Sequence, residues 1–348
     1  MTAAEPILLK GAPASPYTRK MLALLRYRHI PYRYVVVGTE EQSLDLPKPK
    51  VELLPTFYFP DAEGKLSAVV DSSHILRRLD NDFSSRKVVP TNPVIAFLDY
   101  LIEDFADEWL TKAMFHYRWA HPADIEKAAR LLPQWGFFPE DDESLIARGK
   151  EIAEHQIRRL HVVGSNETTG LIIEESYANF LESLAAHLIG RRYLLGDRPS
   201  ACDFAVYGQL TQLTGIDPTP MVVALKRAPR VVAWVDLVED LTGVEPQDDA
   251  WFRPDSIPDS TLGLLSIIGR TYVPVMLANA TAVASGASEV QAEVGGMPWR
   301  QRPFPYQAKC VAWVKEQYNS LEPVDQKAVD LILNGTGCEH LLRWRAPR

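Results

Sequence analysis

Residues 7–29 read ILLKGAPASPYTRKMLALLRYRH: a short apolar strand, a loop, then a helix. The strand, 7–10, stops at Gly11. From residue 16 to 29 the spacing is helical, with Met21, Leu24 and Leu25 on one face and Arg19, Lys20, Arg26 and Arg28 on the others. Working outward, 32–37 is rich in β-formers, and 43–50 is polar and studded with proline. Residues 55–59 and 66–70 flank a turn at 61–64 and read as a hairpin, followed by a helix over 72–82. The order strand, helix, strand, hairpin, helix predicts a small α/β domain over 1–85.

From Thr91 the texture changes to long helical periods. Phe97, Leu101, Phe105, Trp109 and Ala113 fall three or four apart across one long helix, and further helices are expected at 143–161, 171–189, 200–213 and 229–241. An all-helical domain over 91–244 follows, with 85–92 as linker. Residues 245–348 form a third part. A proline- and aspartate-rich stretch leads into the apolar run 262–284, then come alternating residues around Gly295-Gly296, a hairpin signal near 289–301. Helices at about 305–320 and 323–334 close the chain. A chain of 348 residues exceeds the roughly 250–300 that one core supports, which agrees with several domains.

Composition narrows the function classes. With 46% hydrophobic and 24% charged residues the chain is an ordinary globular protein. Its net charge of −8 argues against a nucleic-acid binder. The 3 cysteines, Cys202, Cys310 and Cys338, form no CxxC pair and fit a reducing compartment. The 8 histidines include no HExxH, and Cys338 with His340 supplies too few ligands, so no metal site is expected. The N-terminus lacks the pattern of a signal peptide, and the expected location is cytoplasmic. Arg270 sits near the middle of 262–284, where a membrane would charge it about 2.5–3.5 kcal/mol, so the run is expected to be a buried helix or helix pair without membrane contact.

Chemistry-bearing residues cluster at element ends. Ser15 before Pro16 is a favoured helix start, its hydroxyl accepting a backbone N–H. The same hydroxyl at a positive helix end can donate to a bound thiolate. Leu54-Pro55 opens a strand: a trans proline there ends the loop, and a cis one leaves the Leu54 backbone free for an extended ligand. Asp71-Ser72 either caps the next helix or offers its N-terminus to a carboxylate. Ser200 and Asp203 have the spacing of a capping box, which is structural.

In this order and spacing, these features resemble the glutathione transferase superfamily over roughly residues 5–243. Ser15-Pro16-Tyr17 is similar to the Ser-Pro-Phe element of the tau class and, with Ser for Cys, to the Cys-Pro-Phe element of omega. Leu54-Pro55 matches the cis-proline step, Asp71-Ser72 the pair that holds the γ-glutamyl group, 200–203 the buried capping box, and 228–234 the opening of the family's last helix. The resemblance implies a thioredoxin-like N-terminal domain and an all-helical C-terminal domain, with 245–348 as a mostly helical extension outside the family pattern. Two departures stand out: Leu53 replaces the basic residue often found before the proline step, and Asp71 is shorter than Glu.

The resemblance further implies glutathione as cofactor, Ser15 as the group that stabilises its thiolate, and Leu54, Pro55, Asp71 and Ser72 as its binding residues. The implied activity is that of a glutathione-dependent transferase or lyase acting on a hydrophobic, aromatic electrophile, with Tyr17, Phe105, Trp109 and His116 as pocket candidates and Phe115 and Trp119 beside them. A homodimer is implied as well. The alternative is a non-catalytic binding or scaffolding protein that uses the extension. A thiol–disulfide reductase fits less well, since that chemistry wants cysteine where Ser15 stands.

Overall fold

The computed structural model describes residues 5–39, 44–137, 140–247 and 250–346. Strands β1 (Ile7–Gly11), β2 (Tyr32–Val36), β3 (Thr56–Pro60) and β4 (Leu66–Val69) form one sheet in the order β2-β1-β3-β4. β1 and β2 are parallel, so their connection is a crossover through helix α1 (Pro16–Tyr27). β3 pairs antiparallel with β1 and with β4, the latter through the hairpin expected from sequence. Helix α2 (Ser72–Asp82) follows. This is the thioredoxin-like arrangement, with Leu9, Phe57, Met21, Leu24, Leu25, Ile75 and Leu79 in its core.

The helical part contains α3 (Pro93–Phe105), α4 (Thr111–Ala120), α5 (Pro122–Phe137), α6 (Asp142–Ile157), α7 (Gly170–His187), α8 (Ala201–Thr211), α9 (Pro218–Arg227) and α10 (Pro229–Val238). The long helix expected across 97–113 is continuous but carries a wide π turn at Ala106–Leu110. α5 and α9 were not expected from the sequence. Asp203 closes the capping box on α8: its Oδ2 accepts from the Ser200 amide and hydroxyl at 2.9 Å each, and its Oδ1 accepts from the Leu194 amide at 2.8 Å. Gly208 lets α8 lie against the first turn of α1, since a Cβ there would stand 2.5 Å from the Pro16 carbonyl.

The extension is part of the same core. α11 (Asp259–Ser285) resolves the helix-or-pair question as one helix, running through Pro274 and ending at Gly286 with φ 69°. Among the described residues it is the one helix long and apolar enough to cross a membrane, yet half of its most apolar stretch is buried, and it packs against α7 and α3. β5 (Val290–Val294) and β6 (Met297–Gln301) pair as expected, with positive φ at both Gly295 and Gly296. α12 (Pro305–Asn319), α13 (Pro323–Leu333) and α14 (Glu339–Arg343) complete the fold, α12 and α13 lying on α3. Trp299 packs at a tilt on Trp109, ring centroids 5.3 Å apart, and Tyr272 meets Phe105 edge-on at 6.1 Å. Both Trp299 and Tyr272 are fully buried, each contributing roughly 4–6 kcal/mol of apolar burial before entropy is counted.

Candidate functional site

Strand register brings the predicted residues to one end of the sheet. Lys10 pairs with Thr56 and Phe57 with Val69, so the loop after β1, the Pro55 step before β3 and the Asp71 turn after β4 emerge side by side. The Leu54–Pro55 bond is cis.

Ser15 is the N-cap of α1, its Oγ accepting from the Thr18 amide at 3.2 Å, which leaves the hydroxyl hydrogen to donate elsewhere. The loop before it is held from the helical domain. Arg118 Nη1 donates to the Ala14 carbonyl at 3.0 Å, and Gln212 Nε2 to that of Pro13 at 3.3 Å. Arg118 is itself fixed by a buried pair with Asp217, Nη2 to Oδ2 2.9 Å. The helix start that carries Ser15 is thus positioned by both domains.

Asp71 caps α2 with φ 83°, its Oδ1 accepting from the amides of Ser73 at 3.2 Å and His74 at 3.4 Å. Its Oδ2 is engaged by the extension: Tyr306, on α12, donates its hydroxyl at 2.9 Å. Trp313, two turns along α12, meets His74 edge-on at 4.8 Å and Tyr306 at 5.9 Å. Burial pushes the Asp71 carboxyl up, but hydrogen bonds from His74 and Tyr306 more than offset it, and its pKa is held low. The extension therefore closes over the turn that the family resemblance assigns to a ligand, a contact with no signal in the sequence.

Beneath α2 lies a buried charge network. Lys20 is 1% exposed, and its Nζ lies 2.7 Å from Glu103 Oε1, 2.6 Å from Asp107 Oδ2, and 3.3 Å from the hydroxyls of both Ser72 and Ser73. Arg77 Nη2 holds the other Glu103 oxygen at 2.7 Å. Burial raises Glu103, but Arg77 and Lys20 outweigh it and bring it to about 2. Burial dominates at Asp107, raised to about 6 against the pull of Lys20. It dominates again at Asp104, raised to about 7, and at Glu108, raised to about 8. Tyr272 donates to Asp104, and Gln307 Nε2 to the Glu108 carbonyl at 3.3 Å, so the extension seals this network too. A sequence signal for Lys20 exists in hindsight: it stands at helical spacing with buried Leu24 and Tyr27.

The expected pocket walls fare differently. Tyr17 is half-buried, its hydroxyl donating to the Asp107 carbonyl in the π turn at 2.8 Å, and burial raises its pKa. Phe105 and Trp109 are 0% and 2% exposed: they pack in the core instead of walling a pocket, because Phe180, Tyr272 and Trp299 cover them. Trp109 Nε1 donates to Ser176 Oγ at 3.1 Å. Trp119 is 3% exposed, and Phe115 packs beside it at 6.4 Å. His116 is 5% exposed and faces Ser165 and Glu174 instead of a cleft. A groove of about 570 Å³ lies between α7, α11 and the β5–β6 turn, lined by Glu175, Asn179 and Arg270, away from the Ser15 end.

A thioredoxin-like sheet with a serine-capped first helix and a cis-proline step, joined to a helical bundle, defines the class. The glutathione S-transferase N-terminal domain matches residues 9–87 and the glutathione S-transferase C-terminal domain matches 150–237, and the chain belongs to the glutathione S-transferase superfamily. No curated protein matches the sequence. Among solved structures, a glutathione S-transferase from Methylobacterium radiotolerans in complex with glutathione sulfonate is 18% identical, covering 73% of this chain and 98% of its own, with TM-score 0.41. A glutathione transferase from Burkholderia graminis, with two glutathione molecules bound per subunit, is 18% identical over 70% of this chain and 92% of its own, TM-score 0.41. A transferase homologue from Lodderomyces elongisporus, with two glutathiones per subunit, is 19% identical over 70% and 100%, TM-score 0.35.

Proposed function

We propose that this protein is a cytosolic glutathione-dependent transferase. Glutathione lies extended across the end of the sheet, its cysteinyl backbone pairing with Leu54 beside Pro55 and its γ-glutamyl end meeting Asp71 and Ser72. The Ser15 hydroxyl donates to the sulfur, and the N-terminus of α1 favours its negative charge. The thiolate attacks an electrophilic carbon of an apolar, aromatic substrate; a sulfur–carbon bond forms and the leaving group departs with its electron pair. The protein supplies orientation and charge stabilisation, and the nucleophile comes from the bound peptide. The convergence of Ser15, Leu54-Pro55 and Asp71 at one sheet end carries this reading. A homodimer belongs to it as well, through a face other than the part of α3 that α12 and α13 cover.

One observation favours a second reading, a non-catalytic binding protein: Asp71 already has Tyr306 and His74 as partners. Initial rates with glutathione and an activated aryl halide separate the two. A transferase turns over, and Ser15→Ala lowers the rate about 10- to 100-fold, as expected for one hydrogen bond to a charged group. Saturable glutathione binding with no turnover across a panel of electrophiles favours the binding protein.

A further inference from the structure

Away from the Ser15 end, the start of α7 and the end of α4 bring two imidazoles and a carboxylate tip to tip. Glu174 Oε1 lies 3.1 Å from His116 Nε2 and 3.0 Å from His121 Nε2, and the three candidate donor atoms all lie within 4.8 Å of one another. The rings are held in place. His116 Nδ1 is 2.8 Å from Ser165 Oγ, a residue 7% exposed, and a Cβ on Gly170 would stand 3.1 Å from His116 Cε1. The His121 ring stacks on Tyr117 at 5.2 Å. His116 is buried, while the side chains of His121 and Glu174 are 29% and 31% exposed, so one side of the cluster opens to solvent.

We propose that His116, His121 and Glu174 bind a divalent transition-metal ion of the zinc class, with water in the open position. Ligands at about 2.0–2.2 Å from a tetrahedral zinc lie about 3.3 Å apart, so the two nitrogen–oxygen separations need change by only a few tenths of an ångström. The two ring nitrogens, within 4.8 Å of each other, draw toward the same spacing as the partly exposed His121 ring turns to the ion. Two imidazoles and one carboxylate suit zinc, cobalt, nickel or copper, whereas magnesium and calcium want oxygen ligands. Ser165 Oγ accepts the His116 Nδ1–H, which leaves the lone pair of Nε2 for the ion. The ion ties α4 to α7 and to the turn at Ser165. The site stands independently of any glutathione chemistry.

Hydrogen bonds from both rings to one carboxylate oxygen suit the same separations, and titration of the untagged, chelator-treated chain with Zn²⁺ and Co²⁺ separates the two. The expected result is one equivalent bound, a visible cobalt spectrum of tetrahedral type, and a raised thermal midpoint with zinc. His121→Ala and Glu174→Gln, both at partly exposed positions, each abolish stoichiometric binding while circular dichroism shows the fold retained. Ser165→Ala weakens binding about 10- to 100-fold. Failure of the wild-type chain to bind a stoichiometric ion overturns the proposal. So does binding that is unchanged in either folded ligand variant, since the ion then sits elsewhere.

Discussion

Replacing Lys20 with Met removes the ammonium that lies 2.6 Å from Asp107 and 2.7 Å from Glu103, at little change in side-chain volume. Glu103 keeps Arg77 at 2.7 Å, so the deficit falls on Asp107, whose Oδ1 has no partner among the described residues. Removing one member of a buried pair costs about 3–5 kcal/mol. Without the ammonium, Asp107 folds protonated, and the folded variant holds a proton that the unfolded chain, with a carboxyl near 3.9, releases. An acid whose folded pKa is raised loses stability as pH rises. In the wild type this loss from Asp107 ends near its pKa of about 6. In Lys20→Met it continues, so the deficit grows by about 1.4 kcal/mol per pH unit above that point, about 3 kcal/mol from pH 6 to pH 8. Urea unfolding at the two pH values measures it. Adding Asp107→Asn should restore most of the stability and remove the extra pH dependence. A deficit below about 1 kcal/mol at pH 8, or one that does not change with pH, would mean that Lys20 does not hold the Asp107 charge in the folded protein.

Two further variants probe the extension's contacts. Burial, then Asp104, raises Glu108 to about 8, so the wild type loses stability through this group between its unfolded pKa and about pH 8. Glu108→Gln should match wild type near pH 4 and gain on it as pH rises toward about 8, by up to about 1.4 kcal/mol per unit; parallel urea-midpoint curves contradict this. Tyr306→Phe removes the hydroxyl that occupies Asp71 Oδ2 and should tighten glutathione binding about 2- to 10-fold by calorimetry, with unfolding stability changed by about 1 kcal/mol or less. Weaker binding means that Tyr306 assists the ligand instead of competing with it.

Local signals in the chain carried the sheet, the hairpins, the capping box and the long helices, because each depends on near neighbours. The Gly295-Gly296 pair demanded positive φ and obtained it. α5 carries a weak signal because Pro133 lies inside it and only Asp124, Ala128, Pro133 and Gly136 are buried; tertiary packing against α6 stabilises it. The π turn leaves no periodicity that a helical spacing rule detects. At the site, Ser15, Leu54-Pro55 and Asp71-Ser72 were legible because they stand at element ends with particular backbone roles. Tyr306 and the pairing of His121 with Glu174 were not, since each gains its meaning from partners far along the chain. For Lys20 the spacing with Leu24 and Tyr27 marks a buried position but not its distant partners Glu103 and Asp107. The sequence cannot distinguish Phe105 and Trp109 from pocket walls, because an aromatic at helical spacing looks the same whether its cover is a ligand or, as here, Tyr272 and Trp299.

The role of Ser15 is tested most directly by the pH titration of thiolate absorbance for glutathione bound to wild type and to Ser15→Ala. A free thiol titrates near 8.5, and one hydrogen bond to the charged sulfur, worth about 1.5–3 kcal/mol, lowers that by about one to two units. The expected result is a lowered midpoint in wild type that returns toward about 8.5 in Ser15→Ala, with glutathione still bound. The same midpoint in both proteins, or no glutathione binding by the wild type, contradicts the assignment of Ser15.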